Sequence, residues 1–266
     1  NRDHRKIVVI DGHVGFTGGI NLADEYINEI EKYGHWKDAA IMLKGEAVLN
    51  MTVMFLIVWN YLRGTDESYD KYISNKMCIN SKTPSGYYQP FADSPMDDEP
   101  VGETVYLNSI NRAKKYIYIT TPYLIISNEM IKALTSAAKG GIDVRIITPH
   151  QGDKWYVHAV TKLNYEILVE SGVKIYEYLP GFIHSKNLLA DDEYGVIGTI
   201  NLDYRSFYLH FECGVWMYRS PSLVDMKVDF LDTLEACKEI TMEHIENMKW
   251  YELLIGSVLK VFSPLM

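Results

Sequence analysis

The chain has 266 residues, 47% apolar and 23% charged, which excludes disorder, collagen and coiled coil and leaves one large domain or two packed halves. Its 26 Lys+Arg against 35 Asp+Glu give a formal charge of −9, the wrong sign for holding a phosphate polymer by bulk electrostatics. Nucleic acid is therefore not an expected partner, and any anionic ligand must be held by a local site.

The chain opens on Asn1 with no charged-then-apolar signal segment, so a processed chain or a fragment is expected. Residues 5–10 and 14–17 read as strands around a turn at Asp11-Gly12, residues 22–30 as a helix and 38–43 as another strand. Residues 46–63 carry apolar side chains at helical spacing and end at Gly64. The apolar run 47–62 is broken by Asn50, Thr52 and Asn60 and falls short of a bilayer span, so a core helix is expected. Polar residues 65–86 read as a connection, dividing the chain into a first half, 1–64, and a second, 87–266. In the second half, helices at 104–115, 128–139 and 154–170 alternate with strands at 116–121, 142–148 and 173–178. Strands at 187–191, 194–197 and 212–218 and helices over 222–262 follow. This alternation predicts an α/β fold with helices packed on mixed, largely parallel sheets. Cys78, Cys213 and Cys237 lie far apart with no C-x-x-C pair and read as reduced and buried. The C-terminal stretch 253–266 is mostly apolar and is expected to dock on the domain.

One internal repeat dominates the sequence. At an offset of 180 residues, His4, Lys6, Asp11, Gly18 and Asn21 align with His184, Lys186, Asp191, Gly198 and Asn201 without a gap. Each copy reads H-x-K-x4-D-x6-G-x-x-N. Five fixed residues at set spacing have a chance probability on the order of 10⁻⁷ per start position, so the repeat is no accident. In a strand, alternate residues share a face, so each copy presents an imidazole beside an ammonium. An imidazole suits nucleophilic or proton-transfer work at neutral pH, and a neighbouring ammonium suits a phosphoryl oxygen. Gly18-Gly19 and Gly198-Thr199 form small-residue turns whose backbone N–H groups are expected to approach a ligand, the first leading into a helix N-terminus. Asn21 and Asn201 add side-chain donors. Asp11 precedes Gly12, so a turn-making role stands beside a catalytic one. His13, His35, His150, His158, His210 and His244 share no ligand spacing and read as ordinary polar structure, and no metal cluster is evident.

The doubled H-x-K-x4-D resembles the phospholipase D superfamily. Residues 201–207 with Phe211-Glu212, residues 89–95, 121–123 and 176–182, and the C-terminal 262–266 are similar to bacterial cardiolipin synthases of that superfamily. The resemblance implies two pseudo-two-fold related α/β halves sharing one active site. The first half would be truncated, because only three residues precede its motif whereas some 80 precede the second. It also implies metal-free and cofactor-free phosphatidyl transfer between phosphatidylglycerol molecules through a phosphatidyl-histidine. The enzyme would associate with the bacterial cell membrane, its full-length form anchored by N-terminal helices. Catalytic roles fall to His4, Lys6, Asp11, His184, Lys186 and Asp191, phosphate binding to Gly18, Asn21, Gly198 and Asn201. Asp38 and Glu212 become carboxylates hydrogen-bonded to the motif histidines. The family's usual Ser after the motif Gly is Gly19 here in one copy and Thr199 in the other, a loss the remaining backbone N–H makes tolerable. Twenty Tyr and 5 Trp fit a membrane interface and an aromatic core equally well. Two other readings stand beside this one: a hydrolytic phosphodiesterase of the same superfamily, and a non-catalytic scaffold.

Overall fold

The computed structural model describes residues 2–72 and 86–263. Cys78, most of the 65–86 connection and the last three residues lie outside the described residues. Strands Tyr116–Thr120, Asp143–Pro149 and Lys174–Tyr178 pair in parallel at the centre of a large sheet. Cys237–Ile240 extends one side, antiparallel. Asn187–Ala190, Tyr194–Gly198, His210–Tyr218 and Tyr87–Asp93 extend the other, also antiparallel. The sheet is therefore mixed, with parallel pairing concentrated in the crossover region and hairpins supplying the rest.

The central strands are apolar on both faces because both faces are covered. Ile117, Ile119, Val144, Ile146, Leu188 and Val196 face one core, closed by helices Val101–Arg112, Asn128–Lys139 and Trp155–Glu170. Tyr116, Tyr118, Ile147, Leu189, Ile197 and Val215 face a second core. There they meet Ile41, Leu43, Val48 and Met51 from the first half. These four belong to the strand Ala40–Lys44 and the helix Ala47–Arg63, which with Val8–Ile10 and Val14–Gly18 build a smaller three-stranded unit. The repeat survives folding in register: Val8 pairs with Phe16 as Leu188 pairs with Val196.

Four expectations change. Residues 22–30 form a four-residue 3-10 turn, Asp24–Ile27, ended by Asn28 at φ 60°, rather than an α-helix. Leu22, Ile27 and Ile30 are exposed, so no apolar stripe has a surface to bury against, and Asn28 instead clasps Trp36 through both backbone groups, at 2.6 and 3.1 Å. The helix N-terminus expected after Asn21 is thus absent. Tyr87–Asp93 and Cys237–Ile240 are strands where none was expected, both set by edge pairing in the tertiary fold. Cys213 is buried and Cys237 only half-buried; both are free thiols. The C-terminal helix Trp250–Lys260 docks as expected, Gly256 allowing close approach to Leu163 and Ala159 of the Trp155–Glu170 helix.

Asp11 and Asp191 take no part in the cavity described below. Each sits at positive φ, 53° and 59°, in the turn at the far end of the hairpin from its motif histidine. Asp191 accepts backbone N–H bonds from Lys114, Lys115 and Tyr116 at 2.5, 2.8 and 2.9 Å, tying the hairpin to the start of the central strand. The repeated aspartate marks a repeated turn. Asp191→Ala is expected to lower stability by about 1–3 kcal/mol, read from the urea midpoint, with turnover per folded molecule retained. A stable variant without turnover would return Asp191 to the chemistry.

Candidate active site

The two halves exchange short strands. Arg2–Asp3, just before the first motif, pairs in parallel with His210 and Phe211 of the second half, and His4 N–H then donates to Phe211 O at 2.9 Å. Gly181–Ile183, just before the second motif, pairs in parallel with His35–Lys37 of the first half, and His184 N–H donates to Lys37 O at 2.7 Å. Each motif histidine is thereby laid beside the other half's strand, one residue short of that strand's carboxylate.

The carboxylates follow the same symmetry. Gly18 pairs with Ala40 and Gly198 with Gly214, so Asp38 and Glu212 stand two residues before equivalent positions. His4 Nδ1 lies 2.9 and 3.0 Å from the two oxygens of Glu212, and His184 Nδ1 lies 2.7 Å from Asp38 Oδ2. Both histidines use a carboxylate from the opposite half. With Nδ1 engaged, Nε2 of each is left for the cavity. Lys6 Nζ donates to His4 O at 2.6 Å, and Lys186 Nζ donates to His184 O, so each motif lysine is folded back onto its own histidine's backbone.

Both histidines and Lys6 line one cavity of about 470 Å³, together with Asn21, Asn201 and Tyr26. Lys186 is fully buried beside it. Burial pulls the Lys186 ammonium down to about 7 and Lys6 to about 8, against partial support from Glu212 and Asp38. Burial and the charge of Lys186 push His184 down to about 3, so this imidazole is uncharged at neutral pH despite Asp38. Burial alone would raise Glu212, but the neighbouring His210 ring at 3.8 Å and hydrogen bonds from His4 and Thr199 hold it at about 2. Asp38 is likewise lowered, by His184 and Lys186 overcoming its burial.

The residue after each motif glycine differs for a reason the sequence hides. Thr199 Oγ1 donates to Glu212 Oε2 and fixes that carboxylate. A Cβ on Gly19 would sit 2.1 Å from Asp38 Oδ1, so in the first half the shorter carboxylate fills the space a side chain would need. The backbone N–H groups of Gly19 and Thr199, expected to meet a ligand, are spent on Ala39 O at 3.0 Å and Cys213 O at 2.9 Å. Gly18 and Gly198 do not line the cavity. They allow close strand approach, a Cβ on either meeting a carbonyl oxygen at 2.3 or 2.4 Å. Asn21 does reach the wall, where it donates to Tyr26 OH at 2.5 Å, and Asn201 reaches it with its amide oxygen unpartnered.

Sequence reasoning missed several wall residues, among them Trp36, Tyr123, Asp153 and His210. Trp36 and His210 carry a readable signal: each lies two residues before a histidine-binding carboxylate and therefore on the same strand face. Their rings stand 5.1 Å from His184 and 5.9 Å from His4. His210 is thus not ordinary polar structure. With His4 and Glu212 it brings ligand atoms within 4.8 Å of one another, a set with the N,N,O composition of a zinc site.

Two outcomes are expected. Gly19→Ser should displace Asp38 from His184 and lower turnover at least about tenfold, whereas Thr199→Ser, which keeps the hydroxyl, should cost less than about threefold. Equal losses in the two variants would contradict the steric argument. Because ammonium groups are present below and lost above their pKa, binding of a dialkyl phosphate should weaken as pH rises through about 7 and about 8. A flat titration would mean that neither lysine faces the anion.

Residues 106–233 match the family model described as cardiolipin synthase, PLD-like domain. The chain is 49% identical over 265 residues to an uncharacterized protein of Streptococcus mutans and 39% identical over 265 residues to a cardiolipin synthase of Halalkalibacterium halodurans. In both, the whole of this chain aligns, with 57% and 52% of the relative, so the chain spans about half the length of the curated relatives it matches. Among solved structures, the phosphatidylserine synthase of Haemophilus influenzae superposes with a TM-score of 0.68 at 17% identity, covering 99% of this chain and 69% of that one. The chain has the phospholipase D-like fold and carries, over residues 106–233, the PLD-like domain of the cardiolipin synthase family model, and bacterial cardiolipin synthases align along the whole of this chain over about half of their own length.

Proposed function

We propose that the chain is the catalytic portion of a cardiolipin synthase that moves a phosphatidyl group from one phosphatidylglycerol to another. The observation that supports this most is the pair of carboxylate-held histidines, one from each half, on one cavity with the half-buried Lys6 and the buried Lys186. One Nε2 lone pair attacks phosphorus, forming the P–N bond as the P–O bond to glycerol breaks. The other imidazole, protonated, gives its proton to the departing glycerol oxygen. It then takes the proton from a hydroxyl of a second phosphatidylglycerol, whose oxygen bonds to phosphorus and releases the first histidine. Cardiolipin and one glycerol result. Lys6 and Lys186, with Asn21 and Asn201, stabilise the charge on the non-bridging oxygens throughout. Asp38 and Glu212 hold each ring in one tautomer and orientation.

Lipid substrates make a bacterial membrane the place of action. Among the described residues no helix is long and apolar enough to cross a membrane. The fully exposed Leu22 follows cavity-lining Asn21, and exposed Trp155 stands between cavity-lining Lys154 and Tyr156, which suits a cavity opening toward a lipid surface. The hydrolase reading uses the same pocket with water as acceptor, and the products decide between them. The scaffold reading is disfavoured because both halves of the site are complete.

The protein, given phosphatidylglycerol in mixed micelles with EDTA present, should form cardiolipin and glycerol in equal amounts. Phosphatidic acid without cardiolipin would make it a hydrolase, and a requirement for added metal would overturn the mechanism. His4→Ala and His184→Ala should each lower activity at least about a hundredfold, since nucleophile and acid act as one unit. Lys6→Ala should cost roughly 3 kcal/mol in barrier. Added zinc should inhibit by capturing His4, His210 and Glu212, and His210→Ala should relieve that inhibition.

A further inference from the structure

Three carboxylates line the cavity, none of them one that binds a motif histidine, and they are not equivalent. Asp3 is taken by Arg5, whose guanidinium donates at 2.9 and 2.8 Å. Asp203 is buried and caps the short helix Tyr204–Tyr208, accepting from Ser206 N–H at 2.7 Å. Asp153 receives the Tyr123 hydroxyl on Oδ2 at 2.8 Å, while its Oδ1 is buried with no hydrogen-bond partner. Burial raises the Tyr123 phenol far above its ordinary range, so Tyr123 remains a donor and the Asp153 carboxylate is aligned from one side only. A carboxylate oxygen left without a donor in a buried wall carries a desolvation cost that a bound hydroxyl removes.

The position fits a ligand. Asp153 lies between the carboxyl end of the parallel strand Asp143–Pro149 and the helix Trp155–Glu170, in the same cavity wall as His4 and His184. Clefts outside the carboxyl ends of parallel strands are where α/β sheets place ligands. The charge around it selects the donor. Lys154 Nζ already stands 5.5 Å from the Tyr123 ring centroid, and Arg2, Arg5, Lys6 and Arg205 line other parts of the cavity. A ligand ammonium would meet these cations, whereas a neutral hydroxyl does not.

We propose that Asp153, aligned by Tyr123, is a specificity-determining residue that accepts a hydrogen bond from a free hydroxyl of the polyol esterified to the reacting phosphate. This rests on the phosphodiester chemistry argued above and names the part of the headgroup that the histidines and lysines do not read. The glycerol that leaves and the glycerol headgroup of the entering phosphatidylglycerol would pass through one subsite, so Asp153 acts on both half-reactions. Water, which has no second hydroxyl-bearing carbon, gains nothing from it.

The test uses a ratio that a loss of folded protein does not move. With phosphatidylglycerol as donor, the wild-type protein should transfer to isotopically labelled glycerol, read as labelled phosphatidylglycerol, in preference to ethanol, and D153A should lower that preference about tenfold while raising hydrolysis relative to transfer. D153N, whose amide oxygen still accepts, should recover part of the preference, and Y123F should give an intermediate loss. An unchanged glycerol-to-ethanol ratio in D153A overturns the proposal. A wild-type protein that forms cardiolipin but transfers to neither alcohol overturns the proposal, whereas one that forms no transfer product at all sinks the transferase reading instead. Asp153 is then judged by hydrolysis, where D153A must lower the preference for phosphatidylglycerol over phosphatidylethanol about tenfold or the proposal falls too.

Discussion

The site depends on the reciprocal exchange of strands between the two halves. A histidine needs its Nδ1 proton held if its Nε2 is to face a substrate, and neither motif carries the acceptor within its own half. Pairing Arg2–Asp3 with the strand of Glu212, and Gly181–Ile183 with the strand leading to Asp38, delivers each acceptor from the opposite side. The same ladders bring Trp36 beside His184 and His210 beside His4. The second core, where Ile41, Leu43, Val48 and Met51 meet the large sheet, holds the halves in the relation these ladders need. Loss of packing there would separate both histidines from their carboxylates at once.

The symmetry is one of backbone and not of environment. The Glu212 side reaches farther, is clamped by Thr199 and shares its carboxylate with two histidines. The Asp38 side is shorter, closes over Gly19 and stands in an aromatic pocket of Tyr26, Trp36 and Phe182. Glu with Thr and Asp with Gly are compensating pairs: each fills the space behind its histidine once, with carboxylate length traded against side-chain volume. Two groups that begin with one intrinsic pKa are thereby given different surroundings, as the proposed reaction, with a neutral and a charged imidazole at the same moment, would require.

Much of this was legible in the sequence because a strand has period two and a repeat has a fixed offset. His4 and Lys6, and His184 and Lys186, share faces as their spacing dictates, and the hairpin registers match at the 180-residue offset. What the sequence could not show was which conserved-looking position does what in space. Asp11 and Asp191 repeat as faithfully as the histidines, yet Asp191 ties backbone at a turn. Gly18 and Gly198 repeat because strands cross closely there, not because a phosphate does. Asp153 and Tyr123 belong to no repeat and lie 30 residues apart, so only the fold brings them together. The 22–30 segment failed as a helix because its apolar residues have nothing to cover, which is a tertiary fact.

Lys6 and Lys186 would let so acidic a chain bind the proposed anionic substrate. A formal charge of −9 sets the far field, but the near field inside the cavity belongs to Lys6, Lys186 and the arginines of its wall. Burial costs each ammonium part of its proton affinity, leaving Lys186 at about 7 and Lys6 at about 8 before a ligand arrives. The proposed phosphodiester, entering between them, would supply the missing counter-charge and draw both back toward full protonation, so that binding and proton uptake would be one event. The interaction would then strengthen as negative charge accumulates on the non-bridging oxygens, tying the lysines to the transition state rather than to the resting substrate. Under the proposed function, oxygens on phosphorus would be read by charge and hydroxyls beyond it by the unpartnered oxygen of Asp153, two separate kinds of contact within one cavity.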